Sequence, residues 1–194
     1  LGPATIDGEV GQLQGVGTAS NGDVWIADNT ANHMIHFPGG DYTQGNRITI
    51  DGLEAPFGVA VDAQNRVWVS SSYNNKLTVF PGDAPDQAKT IEVNLGARGV
   101  AVDSTGHIWI AQQSNSPQGA LPPGAKWPPN IPANAPQPKT IMQEFEAGAE
   151  FYTYNPNLTQ AGMVGLISPE MKVVKQGIAK GTAYVPWGVT IDGN

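Results

Sequence analysis

Phe57-Gly58-Val59-Ala60-Val61-Asp62, followed by Ala63-Gln64-Asn65-Arg66 and Val67-Trp68-Val69-Ser70, is the stretch that decides the fold. A small apolar run meets a polar turn, and a second apolar run with Trp in its second place follows. The same order stands upstream as Gly15-Val16-Gly17-Thr18-Ala19, Asn21-Gly22-Asp23 and Val24-Trp25-Ile26-Ala27. It stands downstream as Gly99-Val100-Ala101-Val102-Asp103, Thr105-Gly106-His107 and Ile108-Trp109-Ile110-Ala111. Gly and Trp lie ten residues apart in every copy, and the three Trp residues are 43 and 41 apart. A fourth copy opens at Gly188-Val189-Thr190-Ile191-Asp192 and meets the end of the sequence before its Trp.

Outward from each Trp run, the first two copies continue into an Asn-rich turn and a third apolar run, Met34-Ile35-His36-Phe37 and Leu77-Thr78-Val79-Phe80, each closed by Pro-Gly. A fourth run follows, Ile48-Thr49-Ile50 and Thr90-Ile91-Glu92-Val93. Ala4-Thr5-Ile6-Asp7 sits at the matching offset before Gly15 and is read as the outer strand of a preceding unit. Four short antiparallel strands every ~40–45 residues is the pattern of β-propeller blades. The Gly-Val-Ala-Val strand is then innermost, apolar throughout because both its faces are covered around the central channel. Trp25, Trp68 and Trp109 fill the wedge between blades. The fold class expected is all-β: a partial or open propeller of about three blades plus flanking strands, forming a single domain over 1–194.

Composition agrees. Gly (24) and Pro (16) are abundant while only 14 % of residues are charged, a turn-rich and helix-poor chemistry. The absence of cysteine removes disulfide scaffolds and thiolate metal sites. A net charge of −7 speaks against nucleic acid, which rewards a basic face. No run approaches the ~20 apolar residues that span a bilayer. A surface of Asn, Gln, Ser and Thr with little Lys leans towards a secreted, periplasmic or cell-surface setting.

The third copy is enlarged. From Gly99 to Gly188 is 89 residues, with no intervening Gly-Val-Ala-Val or Trp run. Residues 114–138 hold eight of the sixteen prolines, which bars them from a sheet and favours extended polyproline geometry. One blade with an insertion at 114–148 is the reading, its delayed third strand at Glu150–Pro156 and its fourth at Met171–Lys175. Three blades do not close a ring in the usual manner. Either the chain is part of a longer protein, or copies complete one another through open sheet edges.

These motifs resemble NHL-type repeats and the virginiamycin B lyase-like and SMP-30-like propellers. The resemblance covers about two thirds of the chain and is specific to the superfamily, not to an activity. It implies a ligand face at the rim where the chain leads into each inner strand and where the second and third strands connect. Gln14, Phe57, Arg98 and Trp187 precede the repeat Gly and are expected to ring the channel mouth. Asp28, Asn29, Ser71, Ser72, Tyr73, Asn74, Gln112 and Gln113 lie on loops of the same face, and Trp127 stands in the middle of the Pro-rich insertion. In the lyase group a His before a repeat Gly acts with a carboxylate and a divalent cation. None of the four matching positions here titrates near neutral pH.

The residues therefore favour a module that binds a protein, peptide or glycan, with no catalytic residue and no cofactor. The alternative is a lyase or lactonase whose catalytic residues and divalent cation belong to other blades. A guanidinium at Arg98 suits a carboxylate or phosphate. Asp62, Asp103 and Asp192 read as structural turn residues, and Asp28 as the pin of the turn after it. His33 and His36 read as sharing one strand face, which would suit a metal pair. No other copy repeats them, so exposed surface is preferred and no metal site is expected. His107 reads as solvated.

Overall fold

The computed structural model describes residues 6, 10–72, 76–93, 96–112, 163–178 and 188–191. Among them stand twelve strands in three four-stranded antiparallel sheets, with two single 3-10 turns and no α-helix. The first sheet runs β1 (Leu13–Thr18), β2 (Val24–Asp28), β3 (His33–Phe37) and β4 (Asn46–Ile48). The second runs β5 (Pro56–Val61), β6 (Arg66–Ser71), β7 (Lys76–Pro81) and β8 (Lys89–Glu92). The third runs β9 (Ala97–Val102), β10 (Ile108–Gln112), β11 (Met163–Ile167) and β12 (Val173–Ile178). Neighbours in sequence are neighbours in each sheet, as the blade pattern requires.

One core lies between each pair of blades. Trp25, Ala27 and Met34 of the first blade meet Val59, Val67, Val69 and Phe80 of the second. Trp68, Leu77 and Val79 then meet Val100, Ile108, Ile110 and Ile167 of the third. The Trp residues on the second strand thus fill the wedges as expected, and Trp25 and Trp68 are fully buried. Trp109, with no complete blade described beyond it, is half-buried.

The repeat Gly explains itself at the joints. A Cβ on Gly58 would strike the Arg98 carbonyl oxygen and lie 2.9 Å from Val100 N. On Gly99 it would lie 2.7 Å from Gly188 Cα, and on Gly15 it would strike the Phe57 carbonyl. Inner strands approach backbone to backbone, which any side chain forbids. Polar staples cross the same joints. Asn29 Nδ2 donates to the Pro56 carbonyl at 3.1 Å, Ser70 Oγ to the Arg98 carbonyl at 2.5 Å and Arg66 Nη1 to the Pro169 carbonyl at 2.7 Å.

The turn between the first two strands has one construction in all three blades. Ala19 N, Asp62 N and Asp103 N each donate to the carbonyl four residues on, at 2.9, 3.0 and 2.9 Å. Asp62 also accepts from Gln64 N, Arg66 N, Arg66 Nε and the Trp68 indole. Asp103 accepts from Thr105 N and Oγ1, His107 N and the Trp109 indole. The structural reading of these two residues holds, with an added role as indole anchors. Asp192 lies outside the described residues.

The first blade has Ala19 in that place, and Trp25 Nε1 is buried with no partner among the described residues. Its carboxylate has moved to Asp23, which accepts Gly39 N at 2.8 Å and the Asn21 amide at 2.9 Å and sits 3.3 Å from His36 Nε2. The His36 ring stacks on Trp25 at 4.0 Å with 8° between planes. His36 is therefore no exposed surface residue. Nor does it share a face with His33: three positions along a strand reverse the side chain's direction, and the register pairs His36 with Trp25 but His33 with Asp28.

Two further corrections concern strand placement. The third strand of the enlarged blade is Met163–Ile167, pairing with β10 in continuous register from Ile108↔Ile167 to Gln112↔Met163. The expected strand at 150–156 lies outside the described residues, and its slot is filled. The fourth strand is where expected, beginning two residues later at Val173. Of the opening stretch 4–7 only Ile6 is described. It bridges Gly45 in parallel, beside the first blade's own outer strand rather than on a preceding blade.

Candidate ligand-binding rim

Three of the four residues before the repeat Gly are described, and each sits in an inner strand: Gln14 in β1, Phe57 in β5, Arg98 in β9. The structure brings two of them together. The Arg98 guanidinium lies over the Phe57 ring, 4.3 Å from its centroid. Arg98 is 4 % exposed while Phe57 and Gln14 are half-buried. Aliphatic stem and cation both find an apolar cover, and the ring's negative face compensates part of the charge. This position is held by the joint beneath it, where Ser70 Oγ accepts Gly58 N at 2.8 Å and donates to the Arg98 carbonyl.

The amides and hydroxyls expected on this rim are turned to the backbone. Asn29 is 4 % exposed and donates across the joint to Pro56, while its own amide reaches the Gln12 carbonyl at 2.8 Å. Ser72 is fully buried, with N and Oγ both on the Ala55 carbonyl. Ser71 Oγ accepts Glu54 N at 3.4 Å, and Gln112 is buried in β10. Asp28 pins the segment leading into β1, accepting Gly11 N at 2.9 Å, and not the turn that follows it. Tyr73, Asn74, Gln113, Trp127 and Trp187 lie outside the described residues. Sequence reasoning missed Ser70 and Asn32, which brace the rim from beneath; Asn32 Oδ1 accepts Ala55 N at 2.7 Å. Their only signal was position, one residue short of the loop and inside it.

The opposite rim carries an acidic groove of about 670 Å3 between the second and third blades, lined among others by Gln64, Arg66, Asp103, Thr105 and Glu170. Burial is the largest single influence on Asp103 and disfavours its charge, but the hydrogen bonds from Thr105, Trp109 and His107 together outweigh it and hold the carboxyl well below its usual range. The Ser168 hydroxyl and the Glu170 amide lower Glu170 in the same way.

The resemblance implies a divalent cation beside a His at the channel mouth. The described positions offer an amide, a ring and a guanidinium there, and a guanidinium repels a cation. No three His, Asp or Glu side chains gather anywhere among the described residues. The donor chemistry of the described rim does not fit such a cation.

No family model matches the chain, and no curated protein matches it. Solved structures do. Virginiamycin B lyase from Staphylococcus aureus superposes over 92 % of this chain and 45 % of its own, at 11 % identity and a TM-score of 0.56. A catalytically inactive His-to-Ala form of that lyase with quinupristin gives 12 % identity, 91 % and 44 % coverage and a TM-score of 0.56. Hydrazine synthase from Kuenenia stuttgartiensis gives 10 %, 86 % and 37 %, and 0.55. The chain spans less than half the length of each. Three wedge-packed sheets, a glycine at every inner joint and these superpositions make the chain a run of β-propeller blades of the kind that builds virginiamycin B lyase.

Proposed function

We propose that the chain is an NHL-type propeller module that binds a protein, peptide or glycan at its channel-mouth rim, completed by further blades or chains. The observation that carries this reading is the Phe57–Arg98 stack. It sets a half-buried aromatic ring against a nearly buried guanidinium at the point where inner strands converge. Aromatic faces and guanidinium groups bind sugar rings and peptide carboxylates without chemistry. The described residues before the repeat Gly, Gln14, Phe57 and Arg98, include no group that exchanges a proton near neutral pH. Asn74, Gln113, Trp127 and Trp187 would extend the same surface. A secreted, periplasmic or cell-surface setting goes with this reading.

The test is a binding screen of immobilised peptides and glycans against the chain and its Phe57→Ala variant. Binders that lose tenfold or more in affinity on Phe57→Ala, with the circular dichroism spectrum unchanged, support the rim. Binding indifferent to Phe57 overturns it. The enzyme alternative, a lyase or lactonase using a divalent cation, is read by incubating the chain with quinupristin and Mg2+. Consumption of quinupristin that stops with chelator would replace the binding reading.

A further inference from the structure

The groove of about 670 Å3 on the opposite rim has the size of a small-ligand site. The turn into β6 brings Gln64 and Arg66 to it, the matching turn of the third blade brings Asp103 and Ser104, and the turn between β11 and β12 brings Pro169 and Glu170. Arg66 is fixed before any ligand arrives. Its Nε donates to Asp62 at 2.6 Å, its Nη1 donates to the Pro169 carbonyl at 2.7 Å, and its guanidinium carbon lies 5.1 Å from the Trp68 ring centroid. Nη2 has no partner among the described residues, and the side chain is partly exposed. Gln64 and Ser104 are exposed, and their side chains bond to nothing among the described residues.

The chemistry of these groups selects the occupant. Asp103, held down by its hydrogen bonds against the cost of burial, and Glu170, lowered by the Ser168 hydroxyl and its own amide, are both ionised near neutral pH. The Arg66 charge is already answered by Asp62. A carboxylate or phosphate is therefore repelled. A metal ion is no better suited: Asp103 already accepts from Thr105, His107 and Trp109, and no three His, Asp or Glu side chains gather among the described residues. A basic peptide would answer the carboxylates but set a like charge against the open edge of Arg66. An apolar ligand would strip water from a guanidinium, a carboxamide and a carboxylate without replacing its hydrogen bonds. Hydroxyl groups suit all of them, because each donates to a carboxylate and accepts from a guanidinium or an amide at once. The Pro169 ring and Val102 offer an apolar cover for ring C–H groups. We propose that this groove is a binding site for a neutral glycan, its hydroxyls held by Arg66, Gln64, Ser104 and Glu170 and its C–H face set against Pro169. The groove shares no residue with the channel-mouth rim, so the two readings stand or fall separately.

The test is an array of short neutral glycans (α- and β-linked glucans, mannans, xylans and chitooligosaccharides), with each hit followed by calorimetry on the whole chain. The expected result is saturable binding of at least one of them, tighter than about 1 mM. Gln64→Ala and Glu170→Gln alter exposed side chains, and each should weaken that binding about fivefold or more at an unchanged melting temperature. If Glu170→Gln lowers the melting temperature, Gln64→Ala carries the test alone. Absence of saturable glycan binding up to about 1 mM overturns the proposal, and an oligolysine that binds where no glycan does would replace it with a basic-peptide site. A glycan weakened by Phe57→Ala but not by Gln64→Ala also overturns it, and places that glycan at the rim.

Discussion

Asp62 shows how much one side chain can organise. A single buried carboxylate closes the turn, orients Arg66, and takes the indole of Trp68, the largest side chain of the second core. Asp62→Ala should cost about 3 kcal/mol, because two backbone amides, a guanidinium and a buried indole lose their acceptor together. Asp103→Ala should cost less, its turn and indole being more exposed; chemical denaturation of both variants checks the order. The reverse experiment is available in the first blade. Ala19→Asn would supply the acceptor that Trp25 Nε1 lacks without a second charge beside Asp23. It should raise stability by about 1 kcal/mol, read as a higher melting temperature; no change would mean that the indole is satisfied otherwise. Asp103 also sets an acid limb. Its folded carboxyl titrates below the unfolded one, so its contribution is complete above about pH 4 and fades as pH falls through the lowered folded value. Melting temperatures between about pH 2 and pH 6 should fall more steeply for the native chain than for Asp103→Asn.

Among the elements, the inner strands were the most legible. Their Gly and the Trp ten residues on mark a joint and a wedge, and at the Gly the close approach of backbones leaves no room for a side chain. Gly58→Ala should therefore cost roughly 3 kcal/mol through overpacking against the next inner strand. Gly188→Ala, with nothing within 4 Å of its Cβ, should stay within about 0.5 kcal/mol. The third strand of the third blade was not legible. The first two blades close that strand with Phe-Pro-Gly, whereas Ile167-Ser168-Pro169 closes it here, and Gly165 breaks the apolar run. A Ser turn does the work instead, Ser168 N donating to the Lys172 carbonyl at 2.8 Å. The rim was legible as a place and not as chemistry. Asn29 and Ser72 are both buried, Asn29 bonding the next blade's backbone and Ser72 the backbone of its own blade, a choice that no local pattern encodes.

On the scale of the molecule, burial differs sharply between equivalent positions. Val59 and Val100 are 7 % and 8 % exposed, each covered by the blade before it, while Val16 on the first inner strand is 60 % exposed with Leu13 beside it at 46 %. Val16→Lys should leave stability within about 0.5 kcal/mol, read by chemical denaturation. Val59→Lys should unfold the chain, since it buries an unpaired ammonium in a dry joint. The outer strand β12, last in its sheet among the described residues, leaves Val173 and Val174 at 46 % and 53 % exposure.

The staples that cross the joints have a grammar. Asn29, Asn32, Ser70 and Arg66 all reach forward, from a side chain of one blade to the main chain of the next. Each blade therefore reads its successor through atoms that every amino acid possesses. The reader must keep its vocabulary, while the blade being read is free to change its side chains without breaking the sentence. Succession has a direction: a blade moved to a new place in the row carries its forward grip with it and needs nothing from its new neighbour but a backbone in register.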